Sequence, residues 1–382
     1  MSSRRPRQTF KDALAVVCAL TPSYPVYCVK PTVLEASARR FLELFPGRVL
    51  YAIKCNPHPR VVQALYDAGI RHFDTASLPE IAQVREMFSD AEPYFMHPVK
   101  GRAVIRSARE VYGVRQYVID HESELTKLLD EAGGEGLTVV VRVQTPKTEA
   151  LYDLSAKFGA PPEEAVVLLK RVAKEGLTAG LAFHVGSQCT TPLAYTKAME
   201  LAGEVIAAAG VPIHVLDVGG GFPAAYPGTQ APPLEVYIDE IVRAAKALKL
   251  RNDCVLMCEP GRAMVADGMS LIVQVQLRKD GQIYINDGLY GGLSETKVAN
   301  IMLPARAIRL DGGLSERTAP FILNGPTCDS VDVLPNPFRL PEDIREGDWI
   351  ELEQVGAYSN ANATRFNGFF TDTFVELDGA DA

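Results

Sequence analysis

Short apolar runs alternate with amphipathic stretches along residues 49–260. Each run has the length of a buried strand, and each stretch repeats apolar residues at helical spacing. The strand-like runs are Val49–Lys54, Arg71–Thr75, Pro93–His97, Gln116–Ile119, Thr138–Val143, Ala179–Val185, Ile213–Val218 and Val255–Glu259. The predicted helices are Pro59–Ala68, Pro79–Phe88, Ser123–Ala132, Pro162–Lys174, Pro192–Ala209 and Leu234–Leu248. Eight such alternations over about 210 residues predict an α/β fold built as a (β/α)8 TIM barrel.

A doubly wound parallel sheet is the alternative, but it usually has fewer strands and a glycine-rich turn after its first strand. Here Gly219–Gly221 follows the seventh run, which favours the barrel. From about residue 262 the pattern changes to short strands between turn residues, which predicts a C-terminal β-rich domain. Its strands are Leu271–Arg278, Gln282–Asn286, Ala307–Leu310, Phe321–Leu323, Trp349–Gln354 and Thr373–Leu377.

We therefore expect three parts in the chain. Residues 1–28 form an N-terminal segment that contributes to the β-domain, residues 29–265 form the barrel, and residues 266–382 form the β-domain. The apolar run at 13–20 lacks a small-residue cleavage site after it, so we interpret it as a helix rather than as part of a signal peptide. The strand Val26–Val29 is expected to join the β-domain.

Composition excludes several classes of protein. The 382 residues are 47% hydrophobic and 23% charged, which is typical of a globular protein. No stretch reaches the ~20 apolar residues of a membrane helix. The net charge is 39 − 47 = −8 without a basic run, so neither nucleic acid nor membrane is an expected partner. Seven scattered cysteines without a CxxC pair predict no metal site and no disulfide framework, and they favour the cytoplasm.

Lys54 stands at the carboxyl end of the first strand-like run. That end of a barrel strand faces the catalytic mouth. A lysine at the end of an apolar run is partly desolvated, and we expect this to lower its pKa and to favour the neutral amine. A neutral amine can form a Schiff base with an aldehyde. The alternative is a lysine that extends its ammonium group from a strand end into solvent.

Two glycine-containing loops follow the seventh and eighth runs. The glycines of Gly219–Gly221 allow backbone N–H groups to approach an anion closely. In the segment Glu259–Arg262, the guanidinium of Arg262 is a candidate phosphate ligand. Barrels commonly bind phosphate in the loops after strands seven and eight. Either loop alone could be a simple turn, but the two at adjacent strand ends favour a phosphate site.

His184 ends the sixth run and is expected at the barrel mouth, with a buried core histidine as the alternative. An imine-forming lysine, a phosphate cradle and a carboxylate at the strand ends together indicate pyridoxal 5′-phosphate. In this interpretation Glu259 keeps the pyridine nitrogen protonated, so that the ring can accept electrons. Cys328 and Asp329 follow a Gly-Pro turn of the β-domain, where a cysteine is usually inert.

The motifs, taken in order, resemble those of the alanine-racemase-fold (fold type III) decarboxylases, which use pyridoxal phosphate. The resemblance is greatest to the eukaryotic-type ornithine and lysine decarboxylases, and it covers about residues 25–372. The matching segments are Tyr51–Asn56, Phe73–Ser77, Leu154–Gly159, Phe183–Ser187, Asp217–Gly221, Glu259–Arg262, Asn286–Gly291, Gly325–Asp329, Gly356–Tyr358 and Phe366–Gly368.

The resemblance implies a role for each matching residue. Lys54 would hold the cofactor as an imine, His184 would stack on its ring, and Glu259 would contact the pyridine nitrogen. Asp74 and Arg142 would support the surroundings of the lysine and the ring. The residues that would grip the phosphate are Ser187, Gly220, Gly221, Gly261, Arg262 and Tyr358.

The resemblance also implies a homodimer with shared active sites. Cys328 would protonate the carbanion and Asp329 would bind the distal amine of the substrate, both at the cofactor of the partner subunit. Lys157 and Asp332 match a pair that forms an intersubunit salt bridge. The expected reaction is the decarboxylation of a basic amino acid, with L-ornithine to putrescine, a step of polyamine biosynthesis, as the first candidate.

One stretch departs from the ornithine decarboxylase pattern. Those enzymes carry a Tyr-Asp pair shortly after the Asn286–Gly291 motif, and its aspartate binds the terminal amine of the substrate. Val298 and Ala299 stand at the matching positions here, and the nearest acid is Glu295. The candidate substrate-binding residues are therefore Asp329, Glu295 and Tyr290.

This departure leaves lysine, arginine and other amino acids open as substrates. An amino acid racemase of the same fold is a second hypothesis, but such enzymes place an arginine near the pyridine nitrogen and use a tyrosine base. Glu259 and Cys328 argue against that reaction. A non-catalytic relative that only binds a regulator protein is a third hypothesis, and the presence of Lys54, Arg262 and Cys328 argues against it.

Overall fold

The computed structural model describes residues 8–146, 157–248 and 250–379. Strands β1 (Thr9–Phe10) and β2 (Val26–Val29) enter the C-terminal sheet, and helix α1 (Ala13–Leu20) packs on that sheet. The Asp12 carboxylate accepts the Ala15 amide at the start of α1, which satisfies one of the free donors of its first turn. The helix predicted at 13–20 is thereby confirmed. Helix α2 (Pro31–Leu44) packs on the outside of the barrel.

Eight parallel strands form a closed barrel, in which each strand pairs with the next and the last pairs with the first. The strands are β3 (Arg48–Ala52), β4 (His72–Thr75), β5 (Glu92–Phe95), β6 (Gln116–Ile119), β7 (Thr138–Arg142), β8 (Thr178–Ala182), β9 (Val215–Asp217) and β10 (Val255–Cys258). Each overlaps one of the predicted runs. The closed sheet confirms the (β/α)8 barrel and excludes the doubly wound alternative.

The helices around the barrel bury one apolar face each. They are α3 (Pro59–Asp67), α4 (Leu78–Met87), α5 (Arg102–Glu110), α6 (Glu122–Ala132), α7 (Pro162–Lys174), α8 (Leu193–Ala209) and α9 (Leu234–Ala247). Sequence analysis missed α2 and α5, and α5 is a helix with few apolar residues that buries only Ile105 and Ala108. Among the described residues, no helix is both long enough and apolar enough to cross a membrane.

A short helix, α10 (Arg262–Val265), leads from the barrel to the second sheet. The long strand β11 (Met269–Lys279) is its centre and pairs with β2 on one side. The other elements are β12 (Gln282–Ile285), α11 (Glu295–Val298), β13 (Ala305–Ile308), β14 (Thr318–Asn324), β15 (Phe338–Pro341), β16 (Trp349–Leu352) and β17 (Phe374–Leu377). This sheet confirms the predicted C-terminal β-rich part, while the exact domain boundaries stay a prediction.

Packed side chains fill the middle of the barrel. They are Leu50, Tyr94, Met96, Val118, Val140, Ala182, Val215 and Met257. At the amino ends of the strands, the Tyr94 hydroxyl donates to Glu92 and contacts Arg48 and His72. Because the centre and this end are occupied, the space for a ligand lies at the carboxyl ends of the strands, as in other barrels.

Candidate active site

A cavity of about 470 Å³ opens at the carboxyl ends of the barrel strands. Every residue that the sequence predicts to hold the cofactor lines it: Lys54, Asp74, Arg142, His184, Ser187, Gly220, Gly221, Glu259, Gly261, Arg262 and Tyr358. Apolar side chains complete its wall, among them Met96, Phe158 and Phe222. Glu295 and Val298 of α11 also line it, so the cavity lies between the barrel mouth and the second sheet.

Lys54 reaches the cavity from the short 3₁₀ turn that follows β3. Its Nζ donates to Oδ2 of Asp74, at the end of the neighbouring strand β4, over 3.1 Å. The Asp74 side chain is 3% exposed, whereas that of Lys54 is 47% exposed towards the cavity. The negative charge of Asp74 raises the pKa of Lys54 above its ordinary value and outweighs desolvation. The expectation of a lowered lysine pKa is therefore wrong, because it considered only the lysine's own strand.

Glu259 and Asp217 are two buried carboxyl groups at the ends of the neighbouring strands β10 and β9. Asp217 Oδ1 accepts the Gly219 amide over 2.8 Å, and its buried Oδ2 has no hydrogen-bond partner among the described residues. Burial raises the pKa of Asp217 to about 7, and burial together with the charges of Asp217 and Asp74 raises that of Glu259 well above its ordinary value. Each of two buried acids that lie close together keeps its proton to a higher pH than an exposed acid does.

Sequence reasoning missed Asp217 as a site residue. The one signal in the sequence is an acid at a strand end, directly before the glycine loop. That signal does not show which group lies near the acid, since Glu259 follows a different strand, 42 residues further along the chain.

His184 presents an uncharged imidazole beside the glycine loop. Its Nδ1 accepts the Gly186 amide over 2.9 Å, which leaves the ring proton on Nε2. Desolvation, together with the positive charges of Arg142 and Lys54, lowers the pKa of His184 well below its ordinary value. A neutral ring in this place can stack on an aromatic ligand without adding a charge to the site.

The glycine loop requires glycine for reasons of conformation and of space. Gly219 and Gly221 have φ angles of +67° and +107°, a region that other residues rarely adopt. A Cβ atom on Gly220 would lie 2.6 Å from the carbonyl oxygen of Glu259 and 3.1 Å from Nε2 of His184. The loop therefore presents bare backbone to the cavity, which suits the close approach of an anion.

Arg262 places a buried guanidinium against this loop. Its side chain is 3% exposed, and Nη1 donates to the Tyr226 hydroxyl over 3.3 Å. Nη2 donates to Glu295 Oε2 over 2.6 Å, and the Tyr358 ring lies 5.0 Å from the guanidinium carbon. Within the described residues, the buried Nε has no hydrogen-bond partner. The Arg262 guanidinium also lines the cavity beside the glycine loop, and a buried guanidinium there is a charge-assisted donor for a phosphate.

A family model described as "Pyridoxal-dependent decarboxylase, pyridoxal binding domain" matches residues 32–266. The chain belongs to the pyridoxal-dependent decarboxylases. This decarboxylase is 34% identical over 333 residues to the lysine/ornithine decarboxylase of Selenomonas ruminantium, covering 84% of this chain and 81% of that one. It is 31% identical over 361 residues to antizyme inhibitor 2 of Xenopus laevis, covering 86% and 76%. The arginine decarboxylase of Paramecium bursaria Chlorella virus, solved with agmatine, superposes with a TM-score of 0.85 at 28% identity, covering 95% and 98%.

Pyridoxal 5′-phosphate is the cofactor of this decarboxylase, and the residues of the cavity fit its parts. Lys54 offers an amine to the aldehyde, Glu259 a carboxyl group to the ring nitrogen, and Arg262 a guanidinium to the phosphate. Among the described residues, no group of three or more histidine, cysteine, aspartate or glutamate side chains is arranged to hold a metal ion.

Cys328, Asp329 and Tyr290 do not line the cavity of their own chain. Cys328 and Asp329 lie on the loop after β14, with Cys328 exposed. The Tyr290 hydroxyl donates to Asp329 Oδ2 over 2.5 Å. Their action at the cofactor of a partner subunit stays a prediction, because a single chain does not test it.

Asp332 orders the loop that carries Cys328. It is 2% exposed, and its Oδ1 accepts the Leu289 amide over 2.7 Å. Its Oδ2 accepts the amide and the hydroxyl of Thr327 over 3.1 and 2.7 Å. These bonds give Asp332 a role within its own chain, and its intersubunit pairing with Lys157 stays a prediction. Part of the motif before Lys157, residues 154–156, lies outside the described residues.

Proposed function

We propose that this decarboxylase removes the α-carboxylate of a basic L-amino acid, with ornithine, which gives putrescine, as the first candidate and lysine and arginine as alternatives. The observation that carries the proposal is the convergence of Lys54, Glu259 and Arg262 on one cavity. The substrate class is supported by the relatives, whose names specify lysine, ornithine and arginine. Putrescine formation would place the enzyme in polyamine biosynthesis.

Each polar residue of the cavity has a task in this reaction. Bound pyridoxal phosphate supplies the electron sink for the electron pair that departing carbon dioxide leaves behind. Lys54 must release a proton from Nζ before it can act as a nucleophile. The Asp74 carboxylate, 3.1 Å away, stabilises the ammonium form of Lys54 until that proton leaves. His184, whose pKa is lowered, would pack its ring against the cofactor ring, and Glu259, whose pKa is raised, would hold a proton for the ring nitrogen.

The side chain of the substrate points, in our proposal, towards α11. Val298 is 64% exposed and lines the cavity at a position where ornithine decarboxylases carry the tyrosine of their Tyr-Asp pair. Glu295 is the acid that α11 contributes to the cavity wall, with its side chain 14% exposed. We infer that Glu295 and Asp329 bind the distal ammonium or guanidinium group, since a desolvated cation requires a carboxylate partner.

We infer a homodimer that shares its active sites. The surface around Cys328 carries several large apolar side chains that are 41–50% exposed: Val331, Phe366, Phe369 and Phe370. A group of exposed apolar residues of this kind is typical of an interface. In the dimer, the Cys328 thiol of one subunit would deliver the proton that replaces the lost carboxylate, at the cofactor of the other subunit.

We also propose that the enzyme works in the cytoplasm. All seven cysteines are free in the structure, two of them exposed. Free exposed thiols are typical of a reducing compartment, where disulfides do not persist.

Carbon dioxide release from a panel of amino acids tests the proposed function. Protein loaded with pyridoxal phosphate is assayed with ornithine, lysine and arginine, and with glutamate and leucine for comparison. We expect release from at least one basic amino acid and at most traces from the other two substrates, with no release by Lys54→Ala protein. Release confined to a non-basic amino acid, or conversion to the D-enantiomer without release, would overturn the proposal.

A further inference from the structure

The guanidinium that the cofactor phosphate requires is already paired with a carboxylate. Glu295 Oε2 lies 2.6 Å from Arg262 Nη2, and the two side chains are only 14% and 3% exposed. The pair joins α11 of the second sheet to α10, which directly follows the barrel. Charge-assisted hydrogen bonds are short and strong, so Glu295 binds Arg262 tightly in this arrangement.

A phosphate bound at the same place brings a second anion to Arg262. The glycine loop and the Arg262 guanidinium are the predicted phosphate ligands, and Glu295 lines the same cavity. Two further cations line the cavity, Lys54, which is paired with Asp74 over 3.1 Å, and Arg142. The carboxylate and the phosphate would then share one guanidinium, and two like charges that close to each other repel.

The Glu295 carboxylate has a second possible binding partner within the cavity. α11 is a helix of only four residues, and both Glu295 and Val298 line the cavity into which we direct the substrate side chain. The other carboxyl groups of the cavity wall are engaged, since Asp74 holds Lys54 and Glu259 contacts Asp217. A glutamate that leaves Arg262 can thus meet a cationic group within the same cavity by rotation of its own side chain.

We propose that Glu295 is a two-position carboxylate that binds Arg262 while the cofactor is absent and the distal cation of the substrate once a phosphate holds Arg262. The inference rests on the proposed function, because its second position needs a basic substrate. It makes the cofactor's own arrival the event that completes the substrate site. It also costs affinity for the cofactor, since the phosphate must displace Glu295 to bind.

The variant Glu295→Gln separates this device from a merely structural contact, because the two ligands should respond in opposite directions. Without the competing charge, we expect inorganic phosphate, titrated by calorimetry in phosphate-free buffer, and pyridoxal phosphate, titrated by absorbance, to bind about tenfold more tightly. Without the carboxylate, we expect the KM for the basic substrate to rise about tenfold or more, with kcat changed less. Damage to the fold would weaken both.

Lys297→Gln is the matched control, because it removes an exposed charge from the same helix and does not contact Arg262. It should change neither dissociation constant by more than about twofold. Glu295→Asp, whose shorter side chain cannot span the same distance, is the second variant, and thermal melting of each protein verifies folding. It too should bind phosphate more tightly.

Weaker phosphate binding by both Glu295 variants would overturn the proposal, since Glu295 would then only orient Arg262. Tighter phosphate binding with an unchanged KM would overturn the substrate position. The phosphate titration needs no substrate, so its result stands even where the wild-type protein releases no carbon dioxide from any basic amino acid. The absence of carbon dioxide release from every basic amino acid would contradict the proposed function instead.

Discussion

The Asp74 carboxylate, 3.1 Å from the Lys54 amine, raises the pKa of Lys54. Elsewhere in the cavity burial is the largest cause, and neighbouring charges add to it: burial and two cations lower the pKa of His184, and burial and two acids raise that of Glu259. For the lysine alone, desolvation predicts the wrong sign, because Asp74 on the neighbouring strand outweighs it. The chemistry of the site therefore depends on pairs of residues.

Asp74→Asn should make Lys54 a nucleophile at lower pH. Asp74 raises the pKa of Lys54, so loss of this charge should lower that pKa and increase the neutral fraction at a given pH. We expect the pH midpoint for reductive methylation of Lys54, followed by peptide mapping, to fall by at least about one unit. Asp267→Asn, which removes an exposed carboxylate that does not line the cavity, is the control. An unchanged or higher midpoint would contradict the account.

Asp217→Asn should change how stability depends on pH. In the cofactor-free protein, burial raises the pKa of Asp217 to about 7 from 3.8, so the folded state keeps a proton that the unfolded state releases. This stabilising contribution is complete below pH 3.8 and is lost as the pH rises through about 7. Asparagine does not titrate, so the unfolding free energy of Asp217→Asn does not fall for this reason as the pH rises.

Urea unfolding at several pH values checks this expectation. As the pH rises from about 5 to 8, the unfolding free energy of the wild type should fall by about 1–3 kcal/mol relative to that of Asp217→Asn. Asp267→Asn, again as the exposed control, should show no such trend. A difference between Asp217→Asn and wild type that stays constant with pH would argue against the raised pKa of Asp217.

The loops after β9 and β10 determine the shape of the phosphate site. Their backbones pass so close that the Glu259 amide donates to the Gly219 carbonyl over 2.9 Å. This contact positions the glycine loop, the Glu259 carboxyl group and Arg262 relative to one another. It also explains why small side chains at the loop are a requirement of packing as well as of conformation.

Gly220→Ala should therefore disturb the loop. The added methyl would lie 2.6 Å from the Glu259 carbonyl oxygen, and we expect a loss of about 1–3 kcal/mol in unfolding free energy with weaker binding of pyridoxal phosphate. Gly313→Ala is the matched control, since nothing lies within 4 Å of its added Cβ. Equal stability and equal cofactor affinity of the two variants would show that the loop tolerates the methyl group.

Elements with a clear apolar pattern were mostly predicted from the sequence. The strand Gln116–Ile119 and the helix Pro162–Lys174 match the structure to the residue, because the strand is buried along its whole length and the helix buries residues at helical spacing. The helix Glu295–Val298 was missed because Val298 is its one apolar residue, and the strand Phe338–Pro341 because buried and exposed positions alternate over only four residues and it ends in proline. Motifs placed the cofactor residues at one mouth, but the pairing of Arg262 with Glu295 depends on how the two sheets meet.

At the scale of the whole molecule, one chain holds an incomplete set of the predicted catalytic residues. The cavity contains Lys54, His184 and Glu259, whereas Cys328 lies exposed on a loop of the β-domain. Exposed phenylalanines accompany it on that surface: Phe366, Phe369 and Phe370. A dimer that buries this surface would explain both features together.

Mixing two inactive variants tests this arrangement. If sites are shared, Lys54→Ala and Cys328→Ala chains form heterodimers with one intact site, and random pairing restores about a quarter of the wild-type rate of amine formation. The matched control mixes the double variant Lys54→Ala/Cys328→Ala with Cys328→Ala, which gives no intact site. Absence of rescue, with mixed dimers demonstrated, would place Cys328 in the site of its own chain or outside catalysis.

The central claim is that the amine after the first barrel strand captures the cofactor aldehyde, and borohydride reduction followed by peptide mapping tests it most directly. The protein is incubated with pyridoxal phosphate, reduced and digested, and the modified lysine is found by mass spectrometry. We predict stoichiometric modification of Lys54. Modification of Lys100 instead, where burial lowers the pKa to about 8, or no modification at all, would contradict the account.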